Sequence, residues 1–352
     1  MTDRIARIET STHASRIVLW LAVLLVLLAF ALPAFVSRGL IKDLFMLMAL
    51  LTLAQCWNLL AGYGGLVSVG QQAFVGLGAY AVFACISLWG VNPLVALAIA
   101  GIVATLFAVP AGFFIFRLDG AYFAIGTWVM AEVARLSVSQ WKQFGGGTGT
   151  SLPRDAMQGL WGLEGVASLF GVSSSAARDI LLYWIALTIA VVTMALIYWV
   201  LRHRLGLALS AVRDNPEAAG AVGVGIPRIK WMIYISTAFA TGLTGALIFL
   251  QKGRISPDSA FNVVDWTAFV IFIVVIGGIG SIEGPIVGVL IFFFLQNFLA
   301  DFGTWYLIAL GAAGIVTMIF APRGLWGLLQ DRRGISLFPT RRRLTLLERN
   351  KT

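Results

Sequence analysis

Residues 179–201 read Asp179-Ile180-Leu181-Leu182-Tyr183-Trp184-Ile185-Ala186-Leu187-Thr188-Ile189-Ala190-Val191-Val192-Thr193-Met194-Ala195-Leu196-Ile197-Tyr198-Trp199-Val200-Leu201. After the opening aspartate no side chain carries a charge until Arg202. A helix of this length covers the ~30 Å of hydrocarbon in a bilayer. A helix also satisfies its own backbone hydrogen bonds, which lipid cannot do for it. The same pattern recurs at 17–36, 44–61, 66–89, 93–116, 120–141, 230–250, 265–281, 284–300 and 303–321. The expected architecture is therefore an all-α polytopic integral membrane protein of about ten transmembrane helices, with a transmembrane domain over 17–321.

Composition excludes the competing classes. Of 352 residues, 59% are hydrophobic and 12% charged, against about 25% charged in soluble domains. The net charge of +9 does not point to nucleic acid, because Lys and Arg sit between the apolar blocks and at the C-terminal end, where membrane topology puts them. Arg4, Arg7 and Arg16 precede the first apolar run, which is longer than the ~7–15 residues of a signal-peptide core and is expected to be an uncleaved span. Cys56 and Cys85 fall inside spans with no CxxC spacing and are expected to be packing residues. His13 and His203 fall outside the spans, which argues against a membrane metalloenzyme. None of the five lysines follows glycine in a G-K-[ST] string, so no Walker A loop is present. The Gly145–Gly149 run likewise lacks a following lysine and is expected to be a flexible outer loop.

Alternating the connections across the membrane places seventeen Lys and Arg on the side of the N-terminus and seven on the other. Positive residues concentrate inside, so both termini are expected to be cytoplasmic: a segment over 1–16 and a basic tail over 322–352. Residues 142–178 then form an outer loop and 202–229 an inner one. The regions 44–89 and 265–300 are the ones open to re-entrant or broken helices. Gly64-Gly65-Leu66-Val67-Ser68-Val69 resembles Gly277-Gly278-Ile279-Gly280-Ser281-Ile282, a likeness that small-residue turns also produce by chance.

The inner loop carries the most specific signal. In Arg213-Asp214-Asn215-Pro216-Glu217-Ala218-Ala219-Gly220-Ala221-Val222-Gly223, Asn215 suits an N-cap and Pro216 the first helical position. Glu217 complements the helix dipole, and Gly223 with Gly225 ends the helix before Pro227. The spacing predicts a helix of about two turns at the cytoplasmic surface. Elsewhere, intramembrane polar groups mark candidate pathway residues: Asn58, Gln71 and Gln72 at a glycine break, and Tyr122, Thr127 and Glu132 along the fifth span. Gln296, Asn297 and Asp301 cluster at the end of the ninth. Arg135 lies three residues from Glu132, where the two can neutralise one another. The three amides can equally serve as interhelical hydrogen-bonding groups.

Glu217-Ala218-Ala219 with Gly223 resembles the EAA signature of ABC importer permeases, and Arg213-Asp214-Asn215-x-x-Ala218-Ala219 is similar to the branched-chain amino-acid permeases of the LivM type. Two further stretches agree: Asn58 through Gly70 to Gly78-Ala79-Tyr80, and Gly120-Ala121-Tyr122-Phe123-Ala124-Ile125-Gly126-Thr127 with Ala131-Glu132. The likeness spans roughly 40–330. Where the family commonly has Gly-His, this chain has Gln71-Gln72, so any imidazole role there is lost. The resemblance implies a permease subunit of an ATP-driven importer in the bacterial inner membrane. It implies that 202–229 is a coupling loop, with Arg213, Asp214, Asn215, Glu217, Ala218, Ala219 and Gly223 serving the ATPase contact, and that 142–178 is periplasmic. The implied partners are a second homologous permease, two cytoplasmic ATPase subunits that hold ATP and Mg, and a periplasmic solute-binding protein; this chain itself would hold no cofactor and would not be an enzyme. The implied solutes are branched-chain amino acids or a small polar solute such as urea. The competing class is an ion-coupled secondary transporter, which broken helices would suit and scarce midplane carboxylates would not.

Overall fold

A computed structural model describes residues 4–9, 13–153, 159–299, 305–333, 337–338 and 343–348. In chain order the principal helices are α1 (His13–Ala31), α2 (Arg38–Asn58), α3 (Gln71–Trp89), α4 (Pro93–Ile115), α5 (Ala121–Ser139), α6 (Leu163–Phe170), α7 (Ser174–Arg202), α8 (Arg204–Asp214), α9 (Pro216–Ala221), α10 (Ile226–Lys252), α11 (Pro257–Ala260), α12 (Phe269–Gly277), α13 (Glu283–Leu299), α14 (Trp305–Phe320) and α15 (Gly324–Arg333). Four short strands form two antiparallel pairs: β1 (Arg4–Glu9) with β4 (Arg343–Glu348), and β2 (Thr150–Ser151) with β3 (Arg254–Ile255).

Seven helices among the described residues are long and apolar enough to cross a membrane: Arg38–Tyr63, Gln71–Trp89, Pro93–Ile115, Ser174–Arg202, Ile226–Lys252, Pro257–Gly277 and Leu307–Gln330. This is fewer than the ten expected segments. The first of those is interrupted by a 3-10 turn at Leu32–Ala34 that contains Pro33. The fifth carries Glu132 and Arg135, and the ninth is a helix of 17 residues. The glycine breaks are real. A π-turn at Leu59–Tyr63 ends α2, and residues 65–70 are not helical, so α3 starts five residues later than the apolar run. Gly278, with φ +136, and Gly280, with φ +74, stand in the gap between α12 and α13.

The interior helices are α2, α3 and α10, and small residues let them approach closely. A Cβ on Gly78 would strike the Gly242 carbonyl, and one on Gly245 would strike the Val75 backbone. On α4, Ala100, Ala104, Ala108 and Ala111 are fully buried, one small residue per turn along a single face. Such stripes replace the hydrophobic driving force that lipid withholds from helix association. Trp20, Leu25, Phe294, Ile308 and Phe320 are exposed, as a lipid-facing surface allows.

The connections collect at two opposite ends, which we name after the sequence expectation. At the outer end, Asp179 joins Arg38 and Gln251, β2 pairs with β3, and Asn92 reaches the Gly159 carbonyl. At the inner end, Arg213 reaches Gly62, Glu283 accepts a hydrogen bond from the Phe338 nitrogen, and Gly278 packs against Arg323 and Gly324. The β1–β4 pair brings the two terminal segments together.

Candidate functional site

The inner end is built on the two broken helices. Asn58 is completely buried. Its Nδ2 donates to the Ser281 carbonyl at 2.8 Å, and its Oδ1 accepts from the Gly280 nitrogen at 2.8 Å. One turn earlier on α2, Gln55 Nε2 donates to the Ile282 carbonyl at 2.8 Å. A Cβ on Gly62 would lie 2.6 Å from the Gly280 nitrogen, so both breaks must be glycine where they cross. The second of the two similar strings, 277–282, therefore meets the end of α2 at Asn58 and Gly62, just before the first string begins. Gln55 was not among the sequence candidates; its place three residues before Asn58, on the same helix face, was the available signal.

The other amides also join helices. Gln71 Nε2 donates to the Leu53 carbonyl at 2.9 Å, while its Oε1 and that of Gln55 are buried and accept nothing from the described residues. Gln72 Oε1 accepts from the Thr267 hydroxyl, which also receives the Gln72 nitrogen. Thr127 Oγ1 accepts from the Val69 nitrogen at 2.9 Å, pinning the irregular 65–70 segment to α5. Four of the six pathway candidates are thus internal. The remaining two, Tyr122 (73% exposed) and Glu132, lie on α5, where Ile125, Trp128 and Val129 are also exposed. Arg135 holds Glu132 through Nε at 3.0 Å and Nη2 at 2.6 Å, and reaches Asp258 with Nη1 at 2.8 Å. Gln296 and Asn297 are exposed, and Asp301 lies outside the described residues.

The 213–223 segment forms as its sequence dictates. Asn215 leaves the helical region at φ −156°, ψ 99°, and its side chain accepts from the Ala218 nitrogen at 3.0 Å. Pro216 opens α9, and Gly223 ends it at φ +85. Glu217 and Ala218 are exposed, but Ala219 is buried against the inner cluster that includes Leu209, Val212 and Ile229. Of the two alanines, only Ala218 is therefore open to a partner. Arg213 points inward: its guanidinium donates to the Gly62 carbonyl at 3.0 Å and pairs with Asp214 at 2.9 Å. A cavity of about 430 Å³ opens beside α9, bounded by Gly65, Leu118, Asp119, Pro216 and Lys230. Among the described residues no three His, Cys, Asp or Glu side chains gather at a metal-binding geometry.

Buried helix-crossing amides, glycine-broken spans and long apolar helices define a multi-pass all-α membrane protein. Residues 39–321 match the family model for the branched-chain amino acid transport system permease component, and the chain belongs to that family. It is 32% identical over 317 residues to the high-affinity branched-chain amino acid transport system permease protein LivM of Escherichia coli, with 86% of this chain and 73% of the relative covered. It is 33% identical over 313 residues to LivM of Salmonella typhimurium, with the same coverage of both chains. A shorter match, 29% over 168 residues, links it to the permease protein BraD of Pseudomonas aeruginosa, covering 45% of this chain and 52% of that one. No solved structure matches. The chain is a permease component of a transport system and not an enzyme.

Proposed function

We propose that this chain is one permease subunit of an ATP-driven importer that moves branched-chain amino acids, or a related small polar solute such as urea, across the bacterial inner membrane. Both termini and the 202–229 loop face the cytoplasm, and residues 142–178 face the periplasm. The subunit pairs with a second homologous permease. Two cytoplasmic ATPase subunits supply ATP and Mg, and a periplasmic binding protein delivers the solute. The observation that carries this is α9: a capped helix with exposed Glu217 and Ala218, fixed to the inner crossing of the broken helices through Arg213. Tyr122 and Glu132 face the route along α5, and Asn58, Gln71, Gln72 and Thr127 border it by holding its walls.

The broken helices are the observation that favours an ion-coupled secondary transporter. Against it, both polar atoms of the Asn58 amide are engaged by the backbone of residues 280 and 281, so the amide serves as a tie between the broken helices.

Ala218→Trp in the assembled complex decides. An overpacked contact costs ~1–3 kcal/mol, so insertion should survive while solute-stimulated ATP hydrolysis and uptake fall. A cysteine at 218 should also crosslink to the ATPase. Normal ATP-dependent uptake by the Trp variant together with no crosslink would refute the coupling role. Uptake that follows an ion gradient without ATP would establish the secondary transporter.

A further inference from the structure

We propose that Arg213 is a positioning residue that makes the coupling helix and the crossing of the two broken helices move as one body. The inference rests on the importer reading above and goes beyond it by assigning the mechanical link. Arg213 is the penultimate residue of α8, immediately before the Asp214-Asn215 turn into α9. The residue lies at the exposed end of α8, with its side chain 34% exposed, but its guanidinium turns toward the end of α2 and not away from the subunit. Its Nη1 donates to the Gly62 carbonyl at 3.0 Å. That carbonyl belongs to the π-turn that ends α2, where helix carbonyls run out of intrahelical partners, so a guanidinium donor fits it. The same Nη1 lies 3.6 Å from where a Cβ on Gly280 would stand, and the Arg213 Cγ lies 3.5 Å from where one on Gly65 would stand.

Arg213 therefore binds the first break at Gly62 and lies beside the second, and from there the chain of contacts continues. Gly62 abuts Gly280, and Asn58 ties Gly280 and Ser281 to α2. A displacement of α9 must either break the Arg213 bond or carry the crossing with it. Asp214 steadies the guanidinium from the coupling side at 2.9 Å through Nε, and the fork geometry lets one side chain hold both partners.

The test uses the complete complex with its partner permease, ATPases and binding protein, and reads solute moved per ATP hydrolysed. Arg213→Met keeps length and removes the donor. It should dock the ATPase as judged by the crosslink from position 218, hydrolyse ATP, and lose about tenfold in the ratio, equivalent to ~1.4 kcal/mol. Arg213→Lys restores one donor and should recover most of the ratio, which a purely packing role would not predict. A wild-type ratio in Arg213→Met overturns the proposal.

A second experiment stands apart from the folding of that variant. Cβ atoms at positions 65 and 213 would be 3.9 Å apart, within disulfide range. Gly65→Cys carries backbone strain at φ +69, which the reduced and oxidised forms of the Gly65→Cys, Arg213→Cys double variant share. Oxidation should therefore raise transport per ATP above the reduced form, a covalent bond at position 65 standing in for the hydrogen bond to Gly62. Oxidation that stalls uptake would show that the two segments must separate. If the wild-type complex neither binds an ATPase nor hydrolyses ATP, the importer reading fails, and that outcome is distinct from either result on Arg213.

Discussion

The two ends of the molecule are held by different chemistry. At the outer end the carboxylate of Asp179, with its side chain fully covered, accepts from Arg38 Nε and from Gln251 Nε2 at 3.1 Å, and Lys42 and Arg178 stand at 3.8 and 3.7 Å. Helices α2, α7 and α10 are joined there by charge. At the inner end α2 meets the 278–282 turn through neutral amides, Gln55 and Asn58, and through glycine backbones in contact. Charge-assisted hydrogen bonds are roughly twice as strong as neutral ones. The glycine contact is sterically exact but contributes little attraction once the backbones part. The first end is thus a charged clamp, and the second a crossing that holds in one geometry and releases readily from it.

The largest effect should come from filling that crossing. A side chain on Gly62 meets the Gly280 backbone, which cannot swing aside as a side chain would. We expect Gly62→Val to cost about 3 kcal/mol, the upper part of the overpacking range, and to lower the unfolding midpoint of the detergent-purified subunit accordingly. An unchanged midpoint would mean that the two turns are not in contact.

The outer clamp should answer more mildly. Asp179→Ala removes hydrogen bonds to a charged group, each worth ~1.5–3 kcal/mol. Arg38 and Lys42 are about half exposed, so water takes over part of what they lose. A net loss of about 2 kcal/mol is expected on that basis. Because the carboxylate is covered, the loss should vary little between low and moderate salt. A loss that vanishes at moderate salt would place Asp179 at the surface and remove the contrast between the ends.

The apolar blocks and the glycine breaks were legible because each is local: length, charge and turn residues lie within a few positions of one another. The α9 helix was legible for the same reason, down to Asn215 as cap and Gly223 as stop. The partners of Gln55 and Asn58 were not, since they lie more than 220 residues away and are backbone groups that carry no sequence signal. Asp179 looked like the polar edge of an apolar run; only the fold shows three cations converging on it. Ala218 and Ala219 look equivalent in sequence, but successive helix positions face directions about 100° apart, and only packing against Leu209 and Val212 decides which is covered. The helix count was less legible, because the 3-10 turn at Pro33 ends α1 short of its apolar run, a break that the uniform composition of that run hides.

The smallest expected effect lies between the two ends, at Glu132 on α5. Its carboxylate is paired with Arg135 one turn on, its side chain is 43% exposed, and Arg135 retains Asp258 as a second partner. Partly exposed pairs at this spacing contribute ~0.3–0.5 kcal/mol, so Glu132→Gln should leave the unfolding midpoint of the isolated subunit almost unmoved. Stability and transport then separate. If Glu132 serves only to neutralise Arg135, uptake by the assembled complex should be as steady as the midpoint. If it faces the solute route along α5, uptake should fall several-fold with the midpoint unchanged, and we expect this second outcome. The reason is that Glu132 shares α5 with exposed apolar residues, among them Ile125, Trp128 and Val129, and a charged group on a lipid-facing surface is costly, whereas one beside a water-filled route or a second subunit is not. Arg135→Gln sharpens the result: it leaves Glu132 unpaired, and uptake that tracks the loss of Glu132 but not of Arg135 would assign the function to the carboxylate itself.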